Sequence, residues 1–126
     1  MPDNKYNIDF FQGSTFSLNL TVKNVNGALM DLTGYTARMQ IRPTYSSATV
    51  TESLSSANGE ITINTVTSVM SLQLAAARTA NISVDMNAGS IPPRTKYVYD
   101  LELLDPGVGV TKLLFGEVTV YGEVTR

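Results

Sequence analysis

The sequence predicts an all-β fold in which two sheets pack face to face. Apolar and polar residues alternate with a period of two in most apolar segments, as strands with one buried face do. Signals for turns, rich in glycine, asparagine and proline, separate these segments at intervals of roughly 8 to 12 residues. Only residues 74–80 have good helix propensity, and we expect them to form a helix of one or two turns that crosses between the sheets.

The chain opens with two alternating segments. Residues 6–10 and 16–22 are predicted as the first two strands, with apolar side chains at every second position. A turn is expected at residues 24–27, because an Asn-Gly pair favours the positive φ values of a tight hairpin.

Residues 35–41 are predicted as the next strand, with their odd-numbered side chains facing inward. Arg38 and Arg42 then project from the outer face, where they could bind an anion or simply face solvent. Pro43 ends the strand, since proline cannot donate a hydrogen bond to the ladder.

The middle of the chain is less regular. Residues 44–56 are rich in serine and threonine and predict a loop with a weak edge strand. Residues 58–59 are interpreted as a second hairpin turn that leads into a strand at 60–64. A further strand is expected at 70–74, and the prolines of residues 90–94 indicate a rigid extended connector.

Residues 97–126 are predicted as one long hairpin that continues to Arg126. An Asp-Pro-Gly turn separates its two strands. Alternation places Tyr97 and Tyr99 in the core, and it places Phe115 and Tyr121 on the outer face of the return strand. A chain that ends inside a strand is expected to have a C-terminus that is structural or that sits at a contact.

These elements predict an immunoglobulin-like, two-sheet antiparallel sandwich of seven or eight strands with one short helix. We expect residues 1–126 to form a single domain, because this length suffices for one core but not for two. The cysteine pair and the tryptophan that often mark such sandwiches are absent.

The amino-acid composition argues against most kinds of catalytic, metal and nucleic-acid site. The 126 residues include no cysteine and no histidine, which removes the commonest nucleophiles, general bases and metal ligands. A net charge of −2 provides no basic surface for nucleic acid. No secretory leader and no membrane-spanning run of apolar residues is predicted. We expect neither a cofactor nor an enzymatic activity.

Two groups of acidic residues are candidates for a catalytic or metal site. Asp100 and Glu102 lie on one face of a strand, but a solvent-facing strand paired with Lys112 and Glu117 explains them better than catalysis does. The spacing of the other acidic and amide residues, among them Asp31, Asp85 and Asn87, lacks the density of a calcium loop. The residues that remain as a candidate contact surface are Phe115, Tyr121, Arg38 and Arg42.

Three segments resemble small virion proteins of tailed bacteriophages and, more loosely, the immunoglobulin-like domain of phage baseplate upper proteins. They are FQGSTF at residues 11–16, LTGYTARMQIR at 32–42, and YDLEL at 99–103 together with GEVTVYGEVTR at 116–126. The likeness follows nearly the whole chain in order.

The resemblance implies a structural role without catalytic residues: an assembly, adaptor, baseplate, tail or capsid decoration module. Its expected partners are other virion proteins in symmetric multiple copies, and its expected location is the virion after synthesis in the host cytoplasm. The alternative is a carbohydrate-binding sandwich that recognises a host surface glycan, for which only Phe115 and Tyr121 were available as exposed aromatic residues.

Overall fold

A computed structural model describes residues 4–24, 26–87, 89–107 and 109–125. In chain order the elements are β1 (Ile8–Phe11), β2 (Phe16–Thr21), β3 (Thr36–Arg42), β4 (Glu52–Ser55), β5 (Ile61–Asn64), β6 (Val69–Leu74), α1 (Ala76–Thr79), β7 (Arg94–Leu104) and β8 (Val110–Tyr121). The predicted turn at 24–27 includes Val25, the predicted hairpin at 97–126 includes Val108 and Arg126, and the predicted domain also includes residues 1–3 and Ala88. These seven residues lie outside the described part.

The strands form two sheets, which confirms the predicted all-β, two-sheet sandwich of eight strands with one short helix. A five-stranded sheet has the order β1-β8-β7-β3-β4, and a three-stranded sheet has the order β2-β6-β5. The short helix α1 connects β6 of one sheet to the segment before β7 of the other, as expected. All strand pairs are antiparallel except β1 and β8, which run parallel.

The core lies between the sheets and follows the predicted alternation. On β7 every second residue is buried, so that Tyr97 and Tyr99 are only 6% and 2% exposed, as their register with Leu101 and Leu103 required. Among the described residues, the buried apolar ones are Ile8, Phe10, Val22, Leu32, Ala37, Met39, Ile41, Leu54, Ile61, Met70, Leu72, Leu74, Ile82, Tyr97, Tyr99, Leu101, Leu103, Val118 and Val120.

The turn at Asn58 and Gly59 does not form a hairpin, contrary to the prediction. It connects β4 of the five-stranded sheet to β5 of the three-stranded sheet, and these two strands do not pair. The Asn-Gly pair does supply the positive φ, 85° at Gly59, that the tight change of direction needs. A turn signal therefore located the bend but did not identify the sheets that it joins.

The last strand is shorter than predicted. β8 ends at Tyr121, and the described residues after it lie outside the sheet, with Val124 exposed. The expectation that the strand continues to the final residue was wrong. Gly122 N–H still bonds the carbonyl of Pro93 at 2.8 Å in the register of the hairpin, but Pro93 has no N–H to return a bond, so the ladder ends there.

A β-bulge interrupts the long hairpin of β7 and β8. Leu101 pairs with Leu114 but Glu102 pairs with Lys112, so Leu113 is an extra residue on β8. If residues 112–114 alternated as a regular strand, Lys112 would share the inward face of Leu114. The bulge instead places Lys112 on the outer face of the sheet.

Candidate functional site

A groove of about 420 Å³ lies on the outer face of the five-stranded sheet. Three neighbouring strands and the loop after β3 supply its walls. The lining residues are Arg38, Gln40, Arg42, Tyr45, Val98, Tyr99, Asp100, Glu102 and Lys112. Two of the four residues predicted as a contact surface, Arg38 and Arg42, therefore belong to it.

Strand register brings these side chains together. Arg38 on β3 lies opposite Glu102 on β7, and Gln40 lies opposite Asp100. On the other side of β7 the bulge aligns Lys112 with Glu102. Because outward side chains at paired positions are neighbours, opposite charges on three strands form one continuous row.

The row is held by ion pairs. Lys112 Nζ lies 2.6 Å from Asp100 Oδ2 and 2.6 Å from Glu102 Oε2, and Arg38 Nε donates to Glu102 Oε1 at 2.7 Å. The prediction that Lys112 pairs across this face is confirmed, whereas Glu117 lies nearest Lys96, at 3.9 Å.

These contacts also favour the charged form of Glu102. Hydrogen bonds from Lys112 and then from Arg38 lower the pKa of Glu102, and bonds to Asp100 and Glu102 raise the pKa of Lys112. A general acid requires the opposite, a carboxyl group whose pKa is raised toward neutrality. Glu102 is therefore suited to holding the sheet face together rather than to acting as a general acid.

Arg42 and Tyr45 form the other end of the groove. The guanidinium of Arg42 donates to the carbonyl of Ser47 at 2.8 Å and to Gln40 Oε1 at 2.9 Å, which fixes its position. Tyr45 is 70% exposed and is the aromatic residue of the groove with an open face. Tyr45 was not among the residues predicted as a contact surface, although a single aromatic residue in a loop rich in serine and threonine can indicate a contact site.

Phe115 and Tyr121 lie outside the groove. Phe115 is half-buried next to Asp100, and the N-terminal segment covers its backbone: Tyr6 N–H donates to its carbonyl at 2.8 Å. The Tyr121 ring contacts Phe11 of β1, with centroids 5.1 Å apart. Because these two residues are six positions apart on one strand, they are separated by about 20 Å. They do not form one binding surface.

The described residues contain no group of three or more histidine, cysteine, aspartate or glutamate side chains that could hold a metal ion. Two of the acidic residues considered for calcium bond their own turns instead. Asp31 Oδ1 accepts from the backbone and hydroxyl of Thr33, and Asp85 Oδ1 accepts from the backbone of Asn87. None of the helices in the described ranges is long and apolar enough to span a membrane.

Comparison with known proteins assigns no family to this chain. No protein-family model and no curated protein matches this chain. Among solved structures, one of murine CRIg is similar over 95% of this chain and 92% of that chain, with 11% sequence identity and a TM-score of 0.35.

Proposed function

We propose that this chain is a non-enzymatic structural protein of a tailed-bacteriophage virion that acts through contacts with other virion proteins. The observation that carries the proposal is the placement of the three segments that resemble such proteins. They contribute β3, parts of β7 and β8 and the end of β1, which belong to the five-stranded sheet, and the first residue of β2, which belongs to the other sheet. Most of the residues that carry the resemblance thus lie on neighbouring strands of one sheet.

The outer face of that sheet supports a contact role. Its groove contains three cations and two carboxylates, and most of these charges already bond each other. Arg38 bonds Glu102 through Nε, and its side chain is 54% exposed. Arginine and tyrosine at the rim of a fixed polar face are residues that frequently anchor protein interfaces.

Immunogold electron microscopy of purified particles tests the proposal, with antibody raised against the recombinant domain. We expect label at one place on the particle: over the head for a capsid decoration module, or at the tail or its tip for a baseplate or adaptor. Particles from a strain that lacks the chain serve as the control, and they should be absent, defective or less stable. Unlabelled particles, or particles of normal stability without the chain, would contradict the proposal.

A second candidate is the binding of a host surface glycan, and the exposed ring of Tyr45 favours it. A saccharide that stacks on this ring would find the amide of Gln40 and the guanidinium of Arg42 beside it as hydrogen-bond donors. A glycan array tests this function with Tyr45→Ala and, as the matched control, Tyr121→Ala at the distant end of β8. Binding that only Tyr45→Ala removes supports the candidate, and an array without binding excludes it.

A further inference from the structure

The sandwich has four edge strands, and they differ in how far they are protected from pairing with another chain. Sheet edges are usually protected by short length, by charge or by proline. β1, β4 and β5 have four residues each, β1 carries Asp9, and β4 begins at Glu52. β2 has six residues, FSLNLT, with no charge and no proline. It is the least protected of the edges in the described part of the chain.

The backbone of β2 has hydrogen-bonding groups that point away from its own sheet. Val22 N–H donates to the carbonyl of Ser68 at 2.8 Å, in the same register that pairs β2 with β6. Because residues of an antiparallel strand bond alternately to one side and the other, the even-numbered residues of β2 face β6. The N–H and C=O groups of Ser17, Asn19 and Thr21 therefore point outward, along the free edge.

The side chains along this edge leave an incomplete core. Phe16, Leu18 and Leu20 face inward and pack against the core, yet each is only half-buried. Beside them, between β1 and β2, lies an open groove of about 300 Å³. A strand added at β2 would cover these three side chains and would satisfy the outward backbone groups in the same step.

The strand that fits is β2 itself. Antiparallel pairing of two copies around Asn19 places Asn19 opposite Asn19, Ser17 opposite Thr21, and Leu18 opposite Leu20. Apolar side chains then meet apolar ones on the inner face, and uncharged polar side chains meet on the outer face. Outward residues of such a pair exchange two hydrogen bonds at each position, about six in all. No like charges oppose each other anywhere along the contact.

We propose that β2 is a self-association edge, and that two copies of this chain join there about a two-fold axis through Asn19. The two three-stranded sheets become one continuous six-stranded sheet. A two-fold contact of this kind closes on itself, so it produces a dimer rather than a fibre. The proposal does not depend on the virion role, since a dimer of this kind forms in purified protein.

Sedimentation velocity over a range of protein concentrations tests the proposal with two proline variants. Asn19→Pro removes an outward N–H but no bond within the sheet, and we expect it to shift the protein from dimer to monomer. Ser53→Pro is the matched control on edge strand β4. The N–H of Ser56 donates to the carbonyl of Ala37 on β3. Because residues of an antiparallel strand bond alternately to one side and the other, the N–H of Ser53, three positions earlier, points away from the sheet. This variant should remain dimeric.

Asn19→Lys tests the register itself without the backbone effect of proline. Two lysines would face each other at the two-fold axis, so dimerisation should weaken at least tenfold at low salt and recover at high salt, where charge is screened. Circular dichroism checks that every variant is folded. A wild-type monomer at all concentrations, or a lysine variant that dimerises equally well at low salt, would overturn the inference. Neither result would affect the labelling of particles that tests the virion proposal.

Discussion

The hydroxyl of Tyr99 donates a hydrogen bond of 2.6 Å to the backbone carbonyl of Tyr6, 93 positions earlier in the chain. Tyr99 lies on β7, the middle strand of the five-stranded sheet, and pairs with Gly116 on β8. A Cβ atom at Gly116 would lie 2.5 Å from the same carbonyl oxygen. Because Gly116 has no side chain, the backbone of Tyr6 can approach β8 closely enough to accept this hydrogen bond. The buried side chain of Tyr99 thus attaches the N-terminal segment to the centre of the sheet.

Removing this hydroxyl should loosen the N-terminal segment. We expect Tyr99→Phe to lower the free energy of unfolding by about 1 kcal/mol, since it deletes one hydrogen bond and leaves the ring in place. Urea denaturation measures this change. Hydrogen exchange should show faster exchange of the Tyr6 amide, which bonds Phe115, while amides of β6 are unchanged. Equal exchange at Tyr6 in both proteins would refute the role of the contact.

The buried tyrosines predict a loss of stability at alkaline pH. Burial raises the pKa of both Tyr97 and Tyr99 above the ordinary value of 10.0. Above about pH 10 the unfolded chain therefore releases protons that the folded chain retains, so stability falls as pH rises further. Each tyrosine contributes a slope of at most about 1.4 kcal/mol per pH unit. Thermal melts at increasing pH should show this decline, and Tyr99→Phe should make it shallower; identical slopes would contradict the assignment.

Gly116 should tolerate no side chain. In Gly116→Ala the new methyl group meets the backbone of Tyr6 and forces the N-terminal segment to move, which we expect to cost about 1–3 kcal/mol of stability. Gly107→Ala is the control, because its Cβ would meet only the Asp105 side chain, at 3.3 Å, in an exposed turn. Chemical denaturation should separate the two variants clearly. Comparable stability of both would show that the segment yields without cost.

The sequence predicted the faces of the strands well and their neighbours poorly. Alternation alone identified the buried side of β7 and placed Tyr97 and Tyr99 in the core, because side-chain direction in a strand is a local property. Pairing between strands depends on distant parts of the chain. For this reason neither the parallel pair of β1 and β8 nor the passage from β4 to the other sheet could be predicted.

In the candidate site, too, the sequence predicted the local direction of side chains but not their contacts with distant segments. Arg38 and Arg42 were predicted on one outer face from their spacing, and the structure places both in the groove. The position of Lys112 depends on the bulge at Leu113, a single extra residue that no turn signal announces. Tyr45 reaches the groove from a loop whose path is set by the bond between Arg42 and Ser47. Such contacts depend on the three-dimensional path of the chain, so the alternation of apolar and polar residues within a segment does not predict them.

The ion pairs of Glu102 predict a dependence of stability on acidic pH. Lys112 and Arg38 lower the pKa of Glu102 below its ordinary value of 4.5, so its contribution is present above that value and is lost as pH falls through the folded-state pKa. We expect Glu102→Gln to destabilise the protein by about 1 kcal/mol at neutral pH and by much less near pH 3. Glu117→Gln, in a looser and more exposed pair, should have little effect at either pH. Equal costs at both pH values would refute this account of Glu102.

Arg78 on α1 should hold the two sheets together where the chain passes from β4 to β5. Its Nε donates to Glu52 Oε1 of β4 at 3.0 Å, and its Nη1 bonds Glu60 Oε2, directly before β5 of the other sheet. Arg78→Ala would leave the two carboxylates without their shared cation. The second oxygen of Glu60 is buried and has no hydrogen-bond partner among the described residues.

We expect Arg78→Ala to cost about 1–2 kcal/mol, less than the loss of a fully buried pair because the Arg78 side chain is 38% exposed. Arg38→Ala is the matched control. The Arg38 side chain is 54% exposed and bridges strands of a single sheet, while Glu102 keeps Lys112 as its partner, so the cost should stay below about 1 kcal/mol. Urea denaturation at low and high salt measures both. If Arg78→Ala costs no more than Arg38→Ala, the cohesion of the two sheets at this side comes from apolar packing alone.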